Sequence, residues 1–128
     1  FAMQWQGDPG ADLPLLGLYE PGTPPDLLAE GDPRLRNMRG YGGSVAFSPD
    51  DLTIAVTSPR GGVVQVMETR SGHIIKEHAL RDVCGLATAQ NGFIASTGLG
   101  AIAALTGHTA KQLRHHDLAW DNHLVPLT

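Results

Sequence analysis

From residue 43 onward, short apolar runs alternate with clusters of Gly, Pro, Ser, Asp and Asn. Runs of this length bounded by turn formers predict β-strands rather than helices. In the clearest stretch the strands fall over residues 44–48, 53–58, 63–68 and 73–79. The breaks between them are Ser48-Pro49-Asp50-Asp51, Pro59-Arg60-Gly61-Gly62 and Thr69-Arg70-Ser71-Gly72, built from residues that set or tolerate turn geometry. The pattern then returns. Thr53-Ile54-Ala55-Val56-Thr57 and Phe93-Ile94-Ala95-Ser96-Thr97 each follow such a turn, with Ala55 and Ala95 forty residues apart. A small-apolar run precedes each copy, and Val45, Leu86 and Leu124 mark three of these runs at spacings of 41 and 38. A period of about 40 with four strands per unit is the content of a propeller blade.

This periodicity predicts an all-β fold, a partial β-propeller of nearly three four-stranded blades of the WD/YVTN-like kind. Residues 1–42 read as an incomplete blade that lacks its strand A. Within it, residues 1–5 align with strand B, 14–19 with strand C and 27–30 with a short strand D, while loops fill 6–13 and 31–43. Residues 43–80 and 81–119 read as full blades, the second with strands C and D over 101–105 and 111–117. Residues 120–128 read as a closing strand A-like segment, with its strand over 122–127. Propellers close with four to eight blades. The reading therefore expects a fragment whose partner is either the missing N-terminal blades or another copy of the chain.

Composition supports a folded chain: hydrophobic residues make up 41% and charged ones 17%, outside the range of disordered sequences. Gly 16 and Pro 9 together give 25 of 128 residues, punctuation that disfavours long helices. The net charge of −4 and the absence of a basic cluster argue against a nucleic-acid partner. No apolar run approaches the roughly 20 residues of a membrane-spanning helix. The lone Cys84 allows no internal disulfide and reads as a small buried apolar residue.

Val45-Ala46-Phe47-Ser48-Pro49-Asp50-Asp51, Thr57-Ser58-Pro59-Arg60-Gly61-Gly62, Asp82-Val83-Cys84-Gly85, Ser96-Thr97-Gly98-Leu99-Gly100 and Trp120-Asp121-Asn122-His123 form an ordered set. It resembles the C-terminal part of a bacterial family of seven-bladed propeller proteins of unknown function. The resemblance implies a longer protein exported to the periplasm behind a twin-arginine-like signal. It also implies an association with iron-uptake gene neighbourhoods, including imelysin-like lipoproteins. It supplies no reaction and no catalytic residues.

Candidate chemistry gathers by blade topology. Connections after strand B and before strand A open on the same face of a propeller, where loops on a rigid scaffold converge at the channel mouth. This rule brings Trp5, Arg39, Tyr41, Ser58, Arg60, Asp82 and Asn122 to one rim as ligand- or partner-binding residues. Arg60 stands out because two glycines follow it, allowing close backbone approach beside a guanidinium suited to carboxylate or phosphate. Set against that reading is a salt bridge from Arg60 to Asp82 joining two blades. His123 and Asp121, two apart on a strand-like segment, face the same way and form the candidate metal pair; the bland reading keeps the outer-strand histidines exposed and makes Asp121 and Asn122 turn caps. Trp5 and Trp120 read as ligand stackers or, more commonly, as inter-blade packing. Gly98-Leu99-Gly100 fits a dinucleotide fingerprint loosely, yet Thr106-Gly107 leaves no room for the helix that fingerprint requires.

The expected function is a non-enzymatic periplasmic binding or scaffolding propeller linked to iron acquisition. It would need no cofactor and would present its rim to a periplasmic protein or a small anionic ligand. The alternative is a metal- or cofactor-dependent propeller enzyme of the lactonase or quinoprotein type, with a metal ion at His123 and Asp121.

Overall fold

The computed structural model describes residues 1–127. Among these the chain is all-β, with ten strands in three antiparallel sheets and one short 3₁₀ helix, the arrangement of a partial propeller. The first sheet is a two-stranded hairpin of β1 (Gly17–Leu18) and β2 (Asp26–Leu27). The second runs β3 (Val45–Phe47), β4 (Thr53–Ser58), β5 (Val63–Glu68) and β6 (Ile74–Ala79) in chain order. The third repeats that order with β7 (Val83–Ala89), β8 (Gly92–Thr97), β9 (Ala101–Thr106) and β10 (Thr109–His115). β4 and β5 coincide with the expected strands, and β9 occupies the stretch that the dinucleotide fingerprint would have needed as a helix.

Period-two alternation lets the middle sheet serve two cores. Ile54 and Val56 of β4, with Val63 and Met67 of β5, face the N-terminal portion and pack with Leu16, Leu28, Leu35 and Met38. Their neighbours Ala55, Val64 and Val66 point the other way and join Val83, Leu86, Phe93, Ala95 and Leu105 of the third sheet. Alternate side chains of a strand lie on opposite faces, so a sheet between two others buries both faces of β4 and β5, with Thr57, Ser58 and Gln65 as the polar members of the buried set. Polar bonds follow the same division: Ser58 Oγ donates to the Met38 carbonyl at 2.6 Å, while Thr57 Oγ1 donates to the Cys84 carbonyl at 2.7 Å.

Successive units meet inner strand to inner strand. The Leu86 amide donates to Ser44 Oγ at 3.2 Å, and Thr88 Oγ1 donates to the Phe47 carbonyl at 2.7 Å. Those partners are 42 and 41 residues apart, the offset the repeat implies. Turn chemistry is equally local. Ser48 Oγ donates to Asp50 Oδ1 at 2.6 Å and accepts from the Thr53 amide at 3.0 Å, and Asp50 Oδ1 also accepts from the Leu52 amide. The Ser48 hydroxyl, foremost, holds the Asp50 carboxyl below the ordinary carboxylate value by stabilising its charged form.

Four features differ from the sequence expectation. Residues 1–5 make isolated bridges, Ala2 with Leu16 and Gln4 with Tyr41, rather than a regular strand. Residues 33–38, expected as loop, form the 3₁₀ helix Pro33–Met38, capped by Asp32, whose carboxylate accepts from the Arg34 amide at 2.9 Å. The strand expected over 122–127 is not formed among the described residues. Pro126 has no N–H to offer a ladder, and Asn122 and Leu124 are half-buried while His123 and Val125 are exposed. Lastly, His78 is 4% exposed instead of lying open on an outer strand. A bulge against β5 between Val66 and Met67 shifts the register of β6. Ile74 then faces the N-terminal core while His78, opposite Val64, faces the third sheet.

Candidate functional site

Arg60 sits in the turn between β4 and β5, held there by its neighbours. Ser58 is fully buried, and its hydroxyl accepts from the Gly61 amide at 3.1 Å while donating to Met38. Ser58 therefore fixes the turn, its hydroxyl engaged within the protein. Gly61 packs so closely on the Asn37 carbonyl that a Cβ there would collide with it. This contact brings the 3₁₀ helix against the turn. The Arg60 guanidinium lies over the Tyr41 ring, 5.1 Å from its centre, a cation–π placement that restricts an otherwise mobile side chain.

Two clefts meet at Arg60. One, about 610 Å³, is lined by Arg60, Gly62, Leu80, Arg81, Asp82 and Leu99 among others. The other, about 670 Å³, is lined by Pro9, Gly10, Arg36, Asn37, Arg39 and Arg60. The ion pairs among the described residues are Arg34 with Asp32 at 2.6 Å and Arg36 with Asp12 at 2.7 Å. Arg39, Arg60 and Arg81 take part in neither. The salt bridge from Arg60 to Asp82 is thus not formed, although both residues line the same cleft. Asp82 instead takes a left-handed backbone, φ 54°, and its carbonyl accepts from the Gly98 amide at 3.0 Å. In the Asp12 pair, the Arg36 hydrogen bond holds the carboxyl below its ordinary value and raises the guanidinium in turn.

The other sequence candidates divide. Trp5 is 44% exposed, donates its amide to the Gly40 carbonyl and lies over Gly7, directly after Gln4, which bridges to Tyr41. Asp121, Asn122 and His123 do not line either cleft. The Asp121 carbonyl and Leu124 lie against Gly85 of β7, and Asp121 Oδ1 accepts from the Asn122 amide at 2.7 Å. Among the described residues no group of three His, Cys, Asp or Glu side chains stands close enough to share a metal ion. Trp120 is half-buried, with Nε1 donating to the Gly100 carbonyl at 3.3 Å and its ring edge-on to His116. Cys84 is buried, and burial, foremost, pushes its thiol up, with Asp82 adding to the effect. No helix among the described residues is long and apolar enough to cross a membrane.

Arg36, Asn37 and Arg81 were absent from the sequence-derived set. Asp32-Pro33 was the available signal for the first two, since a capping Asp followed by Pro opens a helical turn. Arg81 immediately precedes Asp82 and belongs to the same connection.

No curated protein and no solved structure gives a significant match. A family described as "Protein of unknown function (DUF1513)" matches residues 1–127. The chain belongs to that family.

Proposed function

We propose that the chain is part of a non-enzymatic binding propeller whose rim captures a small, multiply charged anion of the carboxylate class. The observation that carries this reading is the set of Arg39, Arg60 and Arg81, spread over two adjoining clefts and free of ion pairs among the described residues. Guanidinium groups present paired donors matched to carboxylate oxygens. Net positive charge in a concave site raises the local concentration of anions. Tyr41 beneath Arg60 reduces the freedom lost on binding. The resemblance noted above supports placing this activity in the periplasm and linking it to iron acquisition, where carboxylate-rich chelators are chemically suitable ligands.

Titration calorimetry with citrate tests the reading. The expected result is binding that weakens with added salt and drops by roughly tenfold in Arg60→Ala, the loss of about one charge-assisted bond. Arg60→Lys should recover only part of it. Citrate binding that is absent, or that is equal in Arg60→Ala, would overturn the proposal.

A further inference from the structure

We infer that the crevice between the middle and third sheets binds a small inorganic oxyanion through Lys76, His78 and Asn91. The crevice is about 90 Å³ and is lined by Thr53, Lys76, His78, Asn91, Phe93 and Gly107 among others. Organic ligands occupy pockets of about 300 Å³ or more, so this one suits an ion. It opens where the β7–β8 and β9–β10 turns meet the middle sheet, at the strand ends away from the Arg60 turn. Its walls are sheets already packed on each other through one core. Lys76 and His78 are two apart on β6 and share a face, beside Val66 and Val64 of β5, which enter that core. Across the crevice, Gly92 at φ 132° packs so closely on the Leu105 carbonyl that a Cβ would collide with it. This contact fixes the turn that carries Asn91.

Three observations point to an anion. First, His78 is 4% exposed, yet its Nδ1 has no partner among the described residues. A buried polar atom left unpaired carries a desolvation cost that a bound ligand relieves. Second, Lys76 takes part in no ion pair among the described residues, and no carboxylate is among the residues lining the crevice. The nearest acids in sequence are engaged elsewhere. Glu77 lies on the other face of β6, where Asn37 and Gln65 donate to it at 2.9 and 2.8 Å, and Glu68 accepts from the Ser71 hydroxyl. Third, the charges that act on His78 are those of Lys76 and of His108 in the β9–β10 turn, and both oppose its protonation. An oxyanion accepts from the Lys76 ammonium, the imidazole Nδ1–H and the Asn91 amide. Its charge reverses the local field, so that the imidazolium becomes the favoured form. Binding therefore tightens as pH falls. It is separate from capture of a carboxylate at the arginine-lined rim.

Imidazole NMR of the full chain during titration with sulfate, whose charge does not change in this range, tests the inference. Titrations are run at constant ionic strength at about pH 7.5 and about pH 5, on either side of the ordinary histidine value. The His78 signal should move saturably, and its titration midpoint should rise with sulfate. Affinity should be at least about tenfold higher at the lower pH, the strength of one charge-assisted hydrogen bond. The exposed His123 should show no saturation. Lys76→Met, with its fold checked by circular dichroism, should weaken binding by about tenfold. A His78 signal that does not saturate, equal affinity at the two pH values, or equal affinity in Lys76→Met would each overturn the inference. The wild-type titration decides the matter should the variant fail to fold.

Discussion

The sheets β3–β6 and β7–β10 share strand order and arise from the same repeat, yet they bury opposite ends. In the first, the outer strand β6 has Ile74 and His78 buried while the inner strand β3 is exposed at Val45 and Phe47. In the second, the inner strand β7 is buried at Val83, Cys84, Gly85, Leu86 and Ala87, and the outer strand β10 is exposed along its whole length. The cause is the neighbours each sheet has. β6 is held from the N-terminal side: Arg34 donates to the Ile74 carbonyl at 2.8 Å, and Asn37 donates to Glu77 at 2.9 Å. β7 lies between β3 and the C-terminal segment. A repeat unit of this kind does not bury its own faces; adjacent units do that for it.

The largest expected effect follows where the two sheets share a core. Phe93 is 4% exposed and packs with Val64, Val66 and Leu105, so Phe93→Ala should cost about 3–5 kcal/mol in denaturant unfolding. A loss near zero would mean that the sheets do not depend on each other. Next comes Thr57, fully buried, which donates to the Cys84 carbonyl and accepts from the Ser44 amide at 2.9 Å. Thr57→Val keeps the shape and orphans both partners, with an expected loss of about 1–3 kcal/mol.

A smaller, pH-dependent effect belongs to His78. Its Nδ1 has no partner among the described residues, and burial, foremost, holds its pKa below the ordinary 6.5, with repulsion from Lys76 and His108 in the same direction. The unfolded chain then takes up the proton first, so stability is fully present above about pH 6.5 and falls as pH drops toward the folded value. His78→Leu should flatten that acid limb in unfolding curves taken across this range, and an unchanged slope would exclude His78 as its source. The smallest effect is expected on β10, where Arg114→Ala should stay within about 0.5 kcal/mol of wild type; thermal unfolding of the variant checks this.

Legibility in the sequence followed the same division. The repeat was readable because Ala55 and Ala95 and the turns before them are set by local chemistry. β4 and β5 were readable because both their faces are mostly apolar and turn formers bound each strand. Burial on β6 was not, since the single extra residue of its bulge leaves no compositional mark and reverses the face that His78 presents. At the rim, the topological rule brought Arg60 and Asp82 into one cleft, because loop direction follows from strand order. The rule did not anticipate Ser58, whose hydroxyl is used by the Met38 carbonyl, nor Arg36, whose position depends on the packing of the 3₁₀ helix against Gly61. Such tertiary contacts have no sequence signature of their own.

Amide hydrogen exchange on the dilute chain tests most directly whether neighbours, rather than strand sequence, set burial. Amides of β7 bonded to β8 should exchange more slowly than those of β3 bonded to β4 and those of β10 bonded to β9. Equal protection of β7, β3 and β10 would contradict the account.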